Sequence, residues 1–227
     1  YKCFLFSGEL VAGNVKEWLI RTLANEEDLV TYTSKNNMNY KRVSIESRKK
    51  IVNNIKDKIY LYDTDDYNID SILTKMKQLA TRLGVKVFVI DNLMVIESNV
   101  KEELKAQSEV VKKLKNFAKK YNAIVHLVAH PRKSMNEEIT KDDVAGTANI
   151  TNLADYVTTI ERNFKEDREY DAKLSILKNR HTGVNTCTTL KFDSDRKRFY
   201  SSSMMLELGV NYFDTRFTQV NLDDFTW

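Results

Sequence analysis

The sequence predicts an α/β protein with a mainly parallel sheet followed by antiparallel hairpins, on three observations. Short apolar runs alternate with amphipathic helical patterns through about residue 160, and several of the runs are too continuously apolar to have a solvent face. Beyond residue 160 the helical patterns stop, and strand-like runs follow one another with only turns between them. Alternation of strand and helix is the signature of a covered parallel sheet, because each parallel neighbour needs a long crossover. Strands joined by turns need no crossover and pair antiparallel.

The first run, KCFLF at 2–6, leads into Ser7, Gly8 and Glu9. KEWLIRTLA (16–24) and IESRKKIVNNI (45–55) read as helices, KIYLY (58–62) as the second strand and IDSILTKMKQLATRL (69–83) as a further helix. KVFVIDNL (86–93) is the most apolar strand. In the long helix from about Glu102 to Tyr121, residues Val110, Leu114, Phe117, Ala118 and Tyr121 recur at spacings of three and four, with lysines on the other side. AIVHLVA (123–129), with His126 read as a packed or locally bonded core residue, and YVTTI (156–160) complete the alternating set. The annex comprises AKLSILKN (172–179), VNTCTTLKFD (184–193) and KRFYSS (197–202), preceded by the charged turn ERNFKEDREYD (161–171). One folded domain over 1–203 is expected, and 204–227 reads as a tail or docking arm without a sustained period.

The chain has 227 residues, 42% of them hydrophobic, which fits one sizeable core. A formal charge of +4 permits a nucleic-acid partner without requiring one. Two cysteines, Cys3 and Cys187, exclude a disulfide scaffold and lack metal-site spacing, which fits a reducing compartment. No apolar stretch approaches membrane-spanning length, so no membrane partner is expected. Tyr1 is not an initiator methionine, and the chain reads as a fragment or processed product.

Asp91 closes the most apolar strand. Ligands of open α/β sheets bind at the carboxyl ends of the strands, so an aspartate there is placed to hold hydrated Mg²⁺ beside phosphates; it is equally a cap or turn residue. The next strand ends in VAHPRK (128–133), where a parallel neighbour would bring His130 to the same rim. His130 is then a candidate phosphate sensor, and Arg132 and Lys133 are candidates for phosphates of nucleotide or DNA, or else surface cations. Glu9, which ends the first strand after Ser7 and Gly8, is a candidate for orienting an attacking water. Gly8 and Gly13 have the glycine spacing of a phosphate-binding loop, but Asn14 and Val15 stand where Lys and Ser or Thr are needed, so the match is accidental. In KNRHTG (178–183), Lys178 and Arg180 fall on one side of a strand end. Such a pair neutralises charge on a transferred phosphoryl group, or lies solvated at the surface.

Taken in order, FSGE, VFVIDNL, VAHPRK, DDVAGTANITNLADYVTTIER and LKNRHTG resemble the RecA-like P-loop NTPase motor domain of DnaB-type hexameric replicative helicases. The similarity is greatest to the branch containing the mitochondrial helicase Twinkle and T7-type phage primase-helicases. The resemblance implies that Glu9 activates water, Asp91 holds Mg²⁺ through water, and His130 senses the γ-phosphate. It further implies that Lys178 and Arg180 act across a subunit interface, with Arg180 as the arginine finger. DNA-contacting loops would fall after Glu97 and between Arg132 and Ile150, with Arg132, Lys133, Gly146, Thr147 and Asn149 as candidates; Asn149 and Thr151 are alternatively helix caps.

The implied cofactors are ATP or dTTP with Mg²⁺, and the implied partners are single-stranded DNA and further subunits of a hexameric ring. The implied compartment is the cytoplasm of a bacterial or phage-infected cell rather than an organellar matrix. In this family the Walker A loop lies immediately before the strand that ends in the glutamate. The chain is therefore expected to be truncated after that loop, to lack the P-loop, to bind nucleotide weakly and to be largely monomeric. A recombination or loading ATPase and a catalytically silent nucleic-acid-binding or assembly module remain as alternatives.

Overall fold

The computed structural model describes residues 1–100, 102–130 and 148–201. In chain order these form β1 (Cys3–Ser7), α1 (Ala12–Leu23), β2 (Leu29–Thr33), β3 (Asn39–Val43), α2 (Ile45–Ile55), β4 (Ile59–Leu61), α3 (Ile69–Leu83), β5 (Val87–Asp91), α4 (Glu103–Tyr121) and β6 (Ile124–Leu127). Then follow α5 (Ala148–Leu153), β7 (Tyr156–Arg162), β8 (Ala172–Asn179), β9 (Thr186–Asp193) and β10 (Arg198–Ser201).

Three of these helices begin or end at residues suited to the purpose. Ser44 caps α2 by accepting from the Ser47 amide at 3.1 Å, and Asn68 caps α3 by accepting from Asp70 N at 2.9 Å. Gly84 closes α3 at φ +67°, and Asn122 closes α4 at φ +45°, both in the left-handed region that satisfies the last carbonyls. Along α3 the buried residues are Ile69, Ile72, Met76 and Leu79, one apolar stripe. That stripe and the one on α4 cover one face of a parallel sheet ordered β4-β1-β5-β6. Phe4, Phe6, Phe88 and Ile90 of the sheet are fully buried beneath them. Phe88 meets Phe117 of α4 edge-on, with ring centroids 4.9 Å apart, a contact worth about 0.5–1.5 kcal/mol beyond its burial.

The strand order decides where a ligand can sit. From β1 the chain passes to β4 on one side, whereas from β5 it passes through α4 to β6 on the other. The crevice of an open parallel sheet lies where neighbouring strands send their chains in opposite directions, here between the carboxyl ends of β1 and β5.

Two expectations are corrected and one hairpin is added. Tyr156–Ile160 does not extend the parallel sheet: β7 pairs antiparallel with β8 in a second sheet ordered β10-β9-β8-β7. Its successor returns through a short polar turn, closed by Asn163 N donating to Asp171 O at 2.9 Å, which permits only antiparallel pairing. His126 is exposed, because exposure alternates along β6 and His126 shares its outward side with Ile124. The sequence reading also passed over the β2–β3 hairpin. Its outer side carries exposed Tyr32 stacked on Tyr40, so it lacks the alternating burial that marks a strand.

The turn between β9 and β10 rests on the α1 end of the molecule. Arg21 donates from Nη1 to the Asp195 carbonyl at 3.3 Å, and Arg198 donates from Nη1 to the Thr22 carbonyl at 3.3 Å. None of the described helices is long and apolar enough to cross a membrane.

Candidate functional site

Ser7 and Asp91 are paired residues at the ends of β1 and β5. The ladder continues one step further, where Gly8 N donates to the Asp91 carbonyl at 2.7 Å. The Ser7 hydroxyl donates to Asp91 Oδ2 at 3.2 Å and accepts from Leu10 N at 3.3 Å, which holds the carboxylate at the rim. Pairing of β5 with β6 then carries the chain to His130, so Glu9, Asp91 and His130 share one rim as the sequence predicts.

Asn92 joins them, and the sequence reading missed it. Its side chain is fully buried, with Oδ1 accepting from Met94 N at 2.8 Å and Nδ2 donating to Glu9 Oε1. Nδ2 also lies 3.0 Å from His130 Nε2, which in turn lies 3.1 Å from Glu9 Oε1. An Asn directly after a strand-ending Asp was the available signal. It announces a side chain able to bond to the backbone two residues on, as it does here in the 3₁₀ turn Leu93–Val95.

That turn explains Gly8. A Cβ at this position would stand 2.2 Å from Val95 Cγ2 and 3.1 Å from Val95 Cβ, so the close approach of the two loops requires glycine. Gly8→Ala is expected to destabilise the fold by about 1–3 kcal/mol. Val95→Ala in the same chain should recover part of the loss, a non-additivity measurable from denaturant midpoints of the single and double variants. Strictly additive losses would show that the clash is not with Val95. Gly13 lies inside α1 with open space around it, so the Gly8 to Gly13 spacing builds no phosphate loop.

Lys178 and Arg180 gather elsewhere, round the C-terminal end of α5. Lys178 Nζ donates to the carbonyls of Thr151 at 2.7 Å and Asn152 at 3.1 Å, and Arg180 donates from Nη2 to the Asn152 carbonyl at 2.9 Å. Cations suit this end of a helix, whose last carbonyls lack intrahelical donors. Arg180 Nη1 also pairs with Asp155 Oδ1 at 3.2 Å, and Lys115 Nζ reaches both Asp155 oxygens at 2.5 and 2.6 Å. Gly183, at φ +68°, closes the following turn by donating its N–H to the Asn179 carbonyl.

The hydrogen bond from Lys115 foremost, with Arg180 adding to it, holds the Asp155 carboxyl below its ordinary value. A carboxyl lowered in the folded state stabilises the fold above its unfolded value and ceases to do so as pH falls through the folded one. Asp155→Asn should therefore cost stability at neutral pH, and the deficit relative to wild type should close as the pH is taken below the ordinary aspartate range. Thermal unfolding across that range checks it; a deficit independent of pH would count against the ion pair.

Of the candidate DNA contacts, Arg132, Lys133, Gly146 and Thr147 lie outside the described residues. Asn149 falls within α5, as does Thr151, so neither is a helix cap. The described residues include no group of three or more His, Cys, Asp or Glu able to hold a metal. One carboxylate at a strand end is nevertheless the donor set that Mg²⁺ takes when phosphates and water supply the rest, and Asp91 fits it.

A sequence profile for the DnaB-like helicase C terminal domain matches residues 2–201. A DNA helicase/primase of Enterobacteria phage T3 is 29% identical over 137 residues, covering 56% of this chain and 24% of the phage protein. Among solved structures, a DnaB-like replicative helicase studied for its interactions with primase superposes with a TM-score of 0.71 at 17% identity, covering 87% of this chain and 50% of that one. A second solved structure, an isolated ATPase domain, gives 0.72 at 17% identity over 88% of this chain and 74% of that one. A KaiC-like protein of Pyrococcus horikoshii gives 0.54 at 14% identity over 88% of this chain and 75% of that one. The chain thus spans half or less of the length of the phage protein and of the DnaB-like helicase. At these identities the structures establish the fold, which is RecA-like, with a mainly parallel core sheet and C-terminal antiparallel strands. With the profile spanning residues 2–201, nearly all the described residues, the chain belongs to the DnaB-like helicase C-terminal domain family.

Proposed function

We propose that the protein carrying this chain is an ATP-dependent replicative DNA helicase, of the Twinkle and T7-type branch, that translocates on single-stranded DNA as a hexameric ring. The observation that carries this reading is the meeting of Glu9, Asn92 and His130 beside Asp91 on one sheet rim. Glu9 and His130 reach solvent with 49% and 58% of their side-chain surface exposed, as groups that must meet a substrate do. The similarity to the T3 helicase/primase supports the same activity.

In this reading the Glu9 carboxylate accepts from the attacking water, and His130 Nε2 meets an oxygen of the terminal phosphate. Asp91 holds Mg²⁺ through water, and the ion offsets charge on the phosphates of ATP or dTTP. Lys178 and Arg180 act on nucleotide bound by the neighbouring subunit. Arg132, Lys133, Gly146, Thr147 and Asn149 remain the proposed DNA contacts, and the cytoplasm of a bacterial or phage-infected cell the proposed compartment. None of the six glycines begins a complete G-x-x-x-x-G-K-[ST] loop, so the 227-residue chain by itself is expected to bind nucleotide weakly.

The test is unwinding of a forked duplex, with hydrolysis stimulated by single-stranded DNA. Hydrolysis with strand pairing but no unwinding would favour a recombination or loading ATPase. DNA binding without hydrolysis would favour a silent module.

A further inference from the structure

We propose that Asn92 is a positioning residue whose amide holds the Glu9 carboxylate and the His130 ring in a fixed relation, so that engagement of a phosphate by His130 is felt at Glu9. This rests on reading the rim as a nucleotide-hydrolysing site.

The direction of the amide follows from its partners. Asn92 is 0% exposed, and a buried amide must satisfy both its ends. Oδ1 is taken by the Met94 N–H at 2.8 Å, so the two hydrogens of Nδ2 face the rim. There Nδ2, Glu9 Oε1 and His130 Nε2 form a closed triangle, each atom within hydrogen-bond reach of the other two.

Only one hydrogen can lie along each edge of that triangle. If His130 carries its proton on Nε2, it donates to Glu9, and Asn92 donates to Glu9 as well. If Nε2 is bare, it accepts from Asn92, and Glu9 keeps only the second hydrogen of the amide. In both states the bond from Asn92 to Glu9 persists. When an Nε2–H turns to a phosphate oxygen, Glu9 therefore loses one of its two donors but not its position. A carboxylate with fewer donors is a stronger acceptor for water, which couples occupancy at His130 to readiness at Glu9.

The burial pattern assigns the anchoring role to Asn92 rather than to its partners. Glu9 and His130 are exposed side chains with rotamer freedom to lose. Asn92 is fixed from both sides, through Met94 N and through Leu93 N, which donates to the Val128 carbonyl of the segment leading to His130 at 2.9 Å.

Asn92→Asp tests this with little change of shape. It keeps an oxygen for Met94 N–H but sets a second carboxyl against Glu9, which either repels it or shares one proton with it, and in neither case supplies the two hydrogens of the amide. In the ring-forming protein, kcat should fall about 100-fold, as for a misplaced catalytic group, with KM for ATP nearly unchanged. Combined with His130→Ala, the loss should not exceed that of the more damaging single variant, because both break one unit. In the 227-residue chain, the His130 ring nitrogens should shift in NMR spectra of Asn92→Asp while the amides of β1 and β5 keep their positions. A kcat within about threefold of wild type, multiplying losses in the double variant, or unmoved His130 signals would each overturn the proposal. If the wild type hydrolyses no nucleotide while the His130 signals move, the hydrolytic reading fails and the link made by Asn92 stands.

Discussion

Arg180→Ala is expected to reduce nucleotide hydrolysis by about 10³-fold or more in the assembled protein while leaving folding and single-stranded DNA binding nearly intact. In the isolated chain the guanidinium is held by Asp155 Oδ1 at 3.2 Å and the Asn152 carbonyl at 2.9 Å, with half of its surface exposed. An ion pair so exposed contributes about 0–1 kcal/mol, so its loss leaves the fold in place, and exchanging it for a phosphate costs little. The catalytic loss is expected to be larger because, in the role proposed for it, the cation acts on charge that develops in the transition state. Arg180→Lys should recover little, since an ammonium lacks the planar fork of donors. Rings mixed from Arg180→Ala subunits and subunits disabled at Asp91 decide whether the residue acts in trans. Some interfaces then pair an intact Arg180 with an intact Asp91, and hydrolysis should partly return. Mixed rings, verified by mass, that stay as inactive as either parent would place Arg180 outside the neighbour's site.

Glu9→Gln should lower hydrolysis by about 10²–10⁴-fold at unchanged nucleotide affinity, the range typical of a lost general base. The substitution preserves shape and an acceptor for the Asn92 amide, so the rim should keep its geometry. Single-turnover hydrolysis beside equilibrium nucleotide binding separates the two effects. Parallel losses in affinity and rate would assign Glu9 to binding rather than to water.

The extents of α2, α3 and α4 were legible because their causes are local, whereas α1 begins at Ala12, four residues before the expected start, and α5 was not foreseen. The spacing of Ile69, Ile72, Met76 and Leu79, with Asn68 before and Gly84 after, marks α3 to the residue, and IESRKKIVNNI and AKLSILKN likewise coincide with α2 and β8. The rim was legible for a related reason. Buried parallel strands announce themselves by continuous apolar runs, and a polar residue at the end of each must emerge at the same edge. The resemblance of the motifs to helicase motors then supplied roles that composition alone leaves open.

Strand partners and side-chain partners are set at long range. YVTTI reads as a strand whether it joins a parallel sheet or, as found, pairs with β8; His126 reads as core until it is known what lies over β6. Arg180 reads as free until folding brings Asp155, 25 residues earlier, within reach. Asn92 is the clearest case: its partners Glu9 and His130 stand 83 and 38 residues away, and β1, β5 and β6 must pair in one register before the three meet. The sequence by itself determined the strands of the parallel sheet, the helices α2, α3 and α4 and the polar residues that end β1 and β5, though not β2, β3 or α5, because periodicity, caps and burial act over a few residues. Only the tertiary structure decided that a buried amide joins the carboxylate and the imidazole, because a hydrogen bond depends on ångström-scale placement of atoms from three strands, which no local pattern encodes.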